Sequence, residues 1–312
     1  MLFRFFIFLS LLISHMSQGQ KTNKPILLHT DTGDISGTLL LPDSTSTPTV
    51  ALIISGSGPT DRDGNFPMMS NNSLKMLAEG LQAHGIASVR FDKRGIGESR
   101  LSGFSETEIT FEHYVNDVKA WVKLLRGDSR FGDIILIGHS EGSLIGMIAS
   151  REEGVSRFIS LAGAGFPANQ LIYDQLREQP SFVREKAIPI LEQLQQGELV
   201  EEVPQELFAL FRPSVQPYLI SWFQYDPAKE ISRLDCPILI VQGTTDIQID
   251  LKHAEKLAIS GKNTQKTILE GMNHILKPAS DNKMENLGTY GDPKLPLKEE
   301  LVPIIVEFVK EK

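Results

Sequence analysis

Three residues in this chain, Ser140, Asp246 and His274, are of the types that together perform acyl transfer. A serine hydroxyl attacks an acyl carbon only when a base takes its proton. The base keeps the right tautomer only when a carboxylate holds its far nitrogen. Ser140 lies within Gly138-His139-Ser140-Glu141-Gly142, a G-x-S-x-G pattern. With 25 glycines in the chain the pattern alone is weak, so its surroundings decide. Residues 134–137 form a short apolar, β-branched run, and residues 144–149 continue as a small-residue apolar stretch suited to a helix. Strand, tight turn and helix with serine at the apex make a nucleophile elbow. Gly138 and Gly142 are expected where the turn brings backbone too close for a Cβ. The helix that follows turns its first N–H groups towards developing negative charge.

The base and the acid must stand at the same edge of a sheet as the serine. In parallel sheets, reacting residues gather beyond the C-terminal ends of the strands. Residues 237–241 read as a strand that empties into Gln242-Gly243-Thr244-Thr245-Asp246, and residues 265–269 as one that empties into Glu270-Gly271-Met272-Asn273-His274. Asp250 is a rival acid, further along and at the expected start of a helix. For an oxyanion two backbone donors are expected, the N–H of Glu141 directly after the nucleophile and that of Ser57 in the loop after residue 54. The remaining histidines have duller readings. His15 lies in the N-terminal segment, His29 on an early hairpin, His84 near a helix end, and His113 and His253 within helices. His139 should pack or hydrogen-bond to backbone. Their scatter supplies no metal site and implies no cofactor.

Two further motifs are set aside. Asp61-Arg62-Asp63-Gly64-Asn65 hints at a calcium loop, but a third acid is missing and Asn72 stands where the closing Glu would fall. Gly95 and Gly97 follow a strand, yet Arg100 replaces the third glycine of a dinucleotide fingerprint. Asp61, Arg62, Asp92 and Arg94 are expected instead to knit two loops together by charge-assisted hydrogen bonds.

The elements that would position these residues alternate. Residues 25–30 and 34–41 read as a hairpin at a sheet edge, with Asp31-Thr32-Gly33 as its turn. Residues 49–54 are continuously apolar, the mark of a strand buried on both faces. A helix carries Leu74, Leu77, Ala78 and Leu81 on one face and stops at Gly85. A strand at 86–91, a helix at 110–126 and a strand at 157–162 continue the pattern. Between 163 and 234 the alternation breaks into a helix-rich insertion, read as a cap over about residues 166–230. The cap carries the aromatics Phe208, Phe211, Trp222 and Phe223, which could line an acyl pocket or pack on the core, and the acids Glu198, Glu201 and Glu202. Helices at 251–258 and 297–310 complete the chain. The pattern predicts an α/β protein: a mainly parallel sheet flanked by helices, with an inserted helical cap.

Composition bounds the partners. With 31 basic against 39 acidic residues and a formal net charge of −8, the chain is unsuited to nucleic acid or anionic lipid. The first 19 residues combine Arg4 with an apolar core at 5–13, shorter than the ~20 residues that cross a bilayer. They read as a signal peptide cut after Gly19, leaving Gln20 first, with an uncleaved anchor as the alternative. A secreted or periplasmic protein is expected, with residues 20–312 as one large domain. The single cysteine, Cys236, is read as a buried small hydrophobe.

At these residues a family resemblance becomes clear. The chain resembles bacterial α/β-hydrolases of the serine-hydrolase type, particularly esterases carrying Ser55-Gly56-Ser57-Gly58-Pro59-Thr60-Asp61-Arg62-Asp63, with Ser55 where a His is usual. Phe91-Asp92-Lys93-Arg94-Gly95-Ile96-Gly97, the Ser140 elbow, Asn273-His274 and Leu287-Gly288-Thr289-Tyr290 share in the likeness, which spans about residues 48–310. The order Ser140, Asp246, His274 is that of the same group. The resemblance implies an α/β-hydrolase fold and hydrolysis of a small-molecule ester, by analogy with members that act on short acyl esters. The wider family also includes peptidases and thioesterases, so a peptidase or amidase is the alternative. A non-catalytic binding protein is the remaining one.

Overall fold

Every strand that leads to a chemistry-bearing loop lies in one eight-stranded sheet of order β1-β2-β4-β3-β5-β6-β7-β8. The computed structural model describes residues 23–43, 46–100, 102–103 and 105–311. The signal segment read at residues 1–19 and its cut after Gly19 lie outside the described residues. β1 (Asn23–Thr30) and β2 (Gly33–Leu40) form the expected edge hairpin, and β2 pairs antiparallel with β4 (Ala87–Phe91). From β4 onward the neighbours are parallel: β3 (Val50–Ile54), β5 (Ile134–His139), β6 (Val155–Leu161), β7 (Ile238–Gly243) and β8 (Thr264–Leu269).

The continuous apolar runs have the anticipated cause, because alternate residues feed two cores. Val50, Leu52, Ile134 and Leu136 face one core, and Ala51, Ile53, Ile135 and Ile137 face the other. The helix α1 (Ser73–Ala83) and the last helix cover the second face, while α2 (Phe111–Arg126) and α3 (Glu141–Ala149) cover the first. Between β6 and β7 stand α4 (Ala168–Arg177), α5 (Ser181–Gln195), α6 (Phe208–Phe211), α7 (Gln216–Trp222) and α8 (Pro227–Ile231), the helical insertion read as a cap. Then come α9 (Leu251–Ser260), α10 (Lys283–Gly288) and α11 (Leu301–Lys310).

Some boundaries differ from the sequence reading. α11 starts at Leu301 rather than 297, because the Lys298 N–H is used on the Leu276 carbonyl at 2.8 Å, outside any helix. The short α10 was not anticipated; its cap Asn282 accepts from the N–H groups of Met284 and Glu285. Cys236 is half-buried just before β7, not a core residue, and burial pushes its thiol up.

Candidate active site

Ser140 occupies the turn between β5 and α3 with φ 54° and ψ −120°, a conformation that L-residues avoid. The flanking glycines make that turn possible. A Cβ on Gly138 would sit 2.3 Å from the Gly142 carbonyl oxygen, and one on Gly142 would sit 2.4 Å from that of Ile54. The elbow is therefore wedged against the end of β3, which also delivers the Ser57 loop. A Cβ on Gly56 would be 3.2 Å from that of Ser140. The loop closes on itself: Thr60 Oγ1 donates to the Ser57 carbonyl at 2.7 Å, and Ser55 Oγ to that of Thr60 at 3.3 Å. Ser57, Ser140 and Glu141 all border one cavity. Among the described residues, neither the Ser57 nor the Glu141 backbone N–H meets a protein acceptor.

Asp246 and His274 meet as the loop positions require. His274 Nδ1 lies 2.8 Å from Asp246 Oδ2, with both side chains buried. The other Asp246 oxygen accepts from the N–H groups of Gln248 at 2.8 Å and Ile249 at 2.9 Å. Gln242 Nε2 adds a bond to Oδ2 at 2.9 Å. Burial alone would raise this carboxyl, but the His274 ring and the backbone donors outweigh it and hold Asp246 below the usual carboxylate range. The rival Asp250 instead caps α9 through the Lys252 N–H and pairs with the Lys252 ammonium.

The His274 loop is pinned from beneath. Asn273 donates to Thr289 Oγ1 at 2.8 Å and to Asn286 Oδ1 at 3.2 Å, and its own oxygen accepts from Lys277 N. Within the 287–290 motif it is Thr289 that seats that loop. His139 behaves as read: Nε2 donates to the His274 carbonyl at 2.7 Å. Its Nδ1 is buried with no partner among the described residues. Burial, then the positive potential of His274, bring the His139 ring down to about 4, so it stays neutral while acyl transfer would run.

That shift makes a stability prediction. An unfolded histidine takes up a proton near its ordinary 6.5, whereas the buried ring refuses it down to about 4. Between those values the unfolded chain binds more protons, so stability is full above about pH 6.5 and falls as pH drops. His139→Gln keeps a donor at the Nε2 place for the His274 carbonyl and removes the titration. Wild type is expected to lose on the order of 2 kcal/mol more than this variant between pH 7.5 and 5, measured by urea unfolding. Equal pH slopes would refute the assignment.

The ionic motifs divide differently from the reading. Arg62 does bridge the two loops, contacting Asp92 at 2.6 Å and Glu98 at 2.7 Å. Arg94 does not; it forms a forked pair with Asp117 on α2 and also reaches Thr32. Asp61 serves its own turn, accepting from the N–H groups of Asp63 and Asn65. No cluster of metal-binding side chains occurs among the described residues. Of Phe208, Phe211, Trp222 and Phe223, Trp222 borders the cavity, while Phe211 is in the core, Phe223 is buried away from it and Phe208 faces solvent; Phe166 and Tyr218, not singled out in the sequence, border it as well. Trp222 also stacks on Phe111 of α2, 6.1 Å between centroids and 6° from parallel.

Sequence reasoning gave no site role to Gln242, Lys93 or Tyr218. Lys93 donates to the Gly56 carbonyl at 2.5 Å and to Glu141 Oε2 at 3.0 Å, and Tyr218 OH donates to Glu141 Oε1. The only signal was a lysine inside a motif otherwise read as structural.

The fold is that of the α/β-hydrolases. Est1E from Butyrivibrio proteoclasticus, solved with ferulic acid bound, superposes with a TM-score of 0.64 at 18% identity, covering 92% of this chain and 100% of that one. The Pyrococcus furiosus esterase Pf2001 gives 0.57 at 14% identity, covering 93% of this chain and 92% of the other. A family model described as "Serine aminopeptidase, S33" matches residues 69–205. In sequence, the chain is 26% identical over 250 residues to Esterase EstD of Thermotoga maritima. The match takes in 78% of this chain and spans 58% of the length of that relative.

Proposed function

We propose that the protein is a serine hydrolase that cleaves small carboxylic esters, with Ser140, His274 and Asp246 as its triad. The observation that carries this reading is the buried Asp246–His274 pair at the sheet edge where Ser140 opens into a covered cavity. His274 takes the Ser140 proton as Oγ attacks the acyl carbon, and the N–H groups of Ser57 and Glu141 hold the oxyanion. The carbon–oxygen bond to the alcohol breaks as His274 returns the proton to it. Water then repeats the sequence on the acyl-enzyme and releases the acid.

The cavity, about 700 Å³, supports an ester over an amino-terminal substrate. A free ammonium needs an unpaired carboxylate, and the two acids bordering the cavity are both occupied. Glu141 is held by Lys93 and Tyr218, and Glu106 by Arg212 and Ser214. Glu198, Glu201 and Glu202 do not border it. The walls are largely apolar, with Leu144, Ile172 and Leu219 among them. A covered pocket resists oversized groups, so acyl chains of about two to six carbons are preferred, with the alcohol read more loosely.

A series of p-nitrophenyl esters beside amino-acid anilides tests this. kcat/KM is expected to peak at short acyl chains. Activity rising to twelve carbons would refute the short pocket, and anilides surpassing esters would favour the aminopeptidase activity that the matched family's description names. Export belongs to the same reading, on the strength of residues 1–19 alone. N-terminal sequencing of protein from the periplasm or medium should begin at Gln20.

A further inference from the structure

Beside the elbow, at the wall of the same cavity, lies a buried polar cluster whose side chains acyl transfer as described does not use. The Lys93 and Glu141 side chains are only 2% and 1% exposed. A well-packed apolar pair of similar volume is often at least as stable as a buried ion pair, so its stability alone does not account for this one. Its position is informative. The Gly56 carbonyl that Lys93 grips shares a planar trans peptide with the Ser57 N–H, so fixing the oxygen fixes where that N–H points. The carboxylate it grips belongs to Glu141, whose own N–H is the other proposed donor. One ammonium thus ties together the two segments of the oxyanion hole, which are 84 residues apart in number, from 57 to 141.

The second Glu141 oxygen is held from the cap. Tyr218 rides on α7, and burial followed by the Glu141 carboxylate pushes its hydroxyl well above its ordinary range, keeping it a donor. α7 in turn is seated on the start of α2: Ser221 Oγ accepts from the Phe111 N–H at 2.8 Å, and Tyr225 OH reaches Glu112 just beyond α7.

We propose that Lys93 is a positioning residue that holds the Ser57 and Glu141 donors in register, and that Tyr218 makes this register depend on a seated cap. The inference rests on the serine-hydrolase reading. If the wild type turns over no ester, that reading fails first; if it does and the variants match it, only this inference fails.

The test uses the full chain with p-nitrophenyl butyrate and an alkylboronic acid, whose tetrahedral adduct on Ser140 carries an oxyanion-like B–O⁻. Lys93→Met is expected to lower kcat by ~10- to 100-fold, to leave KM within about twofold, and to weaken boronate inhibition by the same factor as kcat. Tyr218→Phe should do the same by ~3- to 10-fold. A purely structural role would lower the thermal midpoint while sparing kcat and boronate affinity, and that result overturns the proposal. Lys93→Met leaves Glu141 buried and unpaired, so Lys93→Met/Glu141→Gln is made beside it. The double variant is expected to keep the kcat loss. Its return to wild-type kcat and boronate affinity would show that Lys93 merely neutralises Glu141, which also overturns the proposal. Tyr218→Phe leaves both charges in place and decides the matter if neither Lys93 variant folds.

Discussion

Ser140→Ala is expected to lower ester turnover by at least ~10³-fold and to abolish labelling by a fluorophosphonate, while the thermal midpoint stays within a few degrees of wild type. Both halves of that expectation come from the elbow. Alanine keeps the Cβ, so it inherits the same positive-φ backbone and the same strain. It removes only the Oγ, which makes no hydrogen bond to another described residue. Nearby serines cannot take over. Ser143, one turn into α3, is fully buried and shares its hydroxyl with Ser160 at 2.7 Å. Ser57 borders the cavity, but it stands in the loop after β3 and not at the strand-to-helix turn where an elbow presents its nucleophile. Hydrolysis persisting in Ser140→Ala, or a labelled serine elsewhere, would sink the elbow assignment.

How far the chain could be read depended on how local the cause was. The strands at 134–137 and 237–241 and the elbow between 138 and 142 were legible because burial on both faces and a turn too tight for Cβ leave a signature in consecutive residues. Asp246 was legible because it follows such a strand, and His274 because the edge strand β8, though largely exposed, ends at the same side of the sheet. The partners of Arg94 were not, since Asp117 is the lone charged residue on the buried face of α2 and nothing in the helix's spacing marks it as a partner. The cap aromatics were ambiguous for the same reason: a phenylalanine at helical spacing packs on whatever lies beneath it. Phe211 found the core, whereas Trp222 found Phe111 and the cavity wall together. The Lys93 cluster joins residues from β4's loop, the elbow and the cap, and nothing in the spacing of 93, 141 and 218 announces that they meet.

Asp246→Asn is the sharper test of how the base is held, with an expected loss on the order of 10⁴ in kcat. The amide can satisfy the surroundings in only one sensible orientation. Its oxygen must take the Oδ1 place, because the N–H groups of Gln248 and Ile249 both donate there. That puts the amide NH₂ at the Oδ2 place, facing His274 Nδ1 and the Gln242 side-chain NH₂. Donor then meets donor. His274 escapes by accepting at Nδ1 and carrying its proton on Nε2, the tautomer that cannot take the Ser140 proton. KM should change little, since Asp246 does not border the cavity. The control is Asp250→Asn. Asparagine caps a helix about as well as aspartate, so α9 keeps its first turn and kcat should stay within about twofold. If Asp250→Asn were the damaging change and Asp246→Asn the mild one, the carboxylate holding His274 during turnover would not be the one that touches it at 2.8 Å.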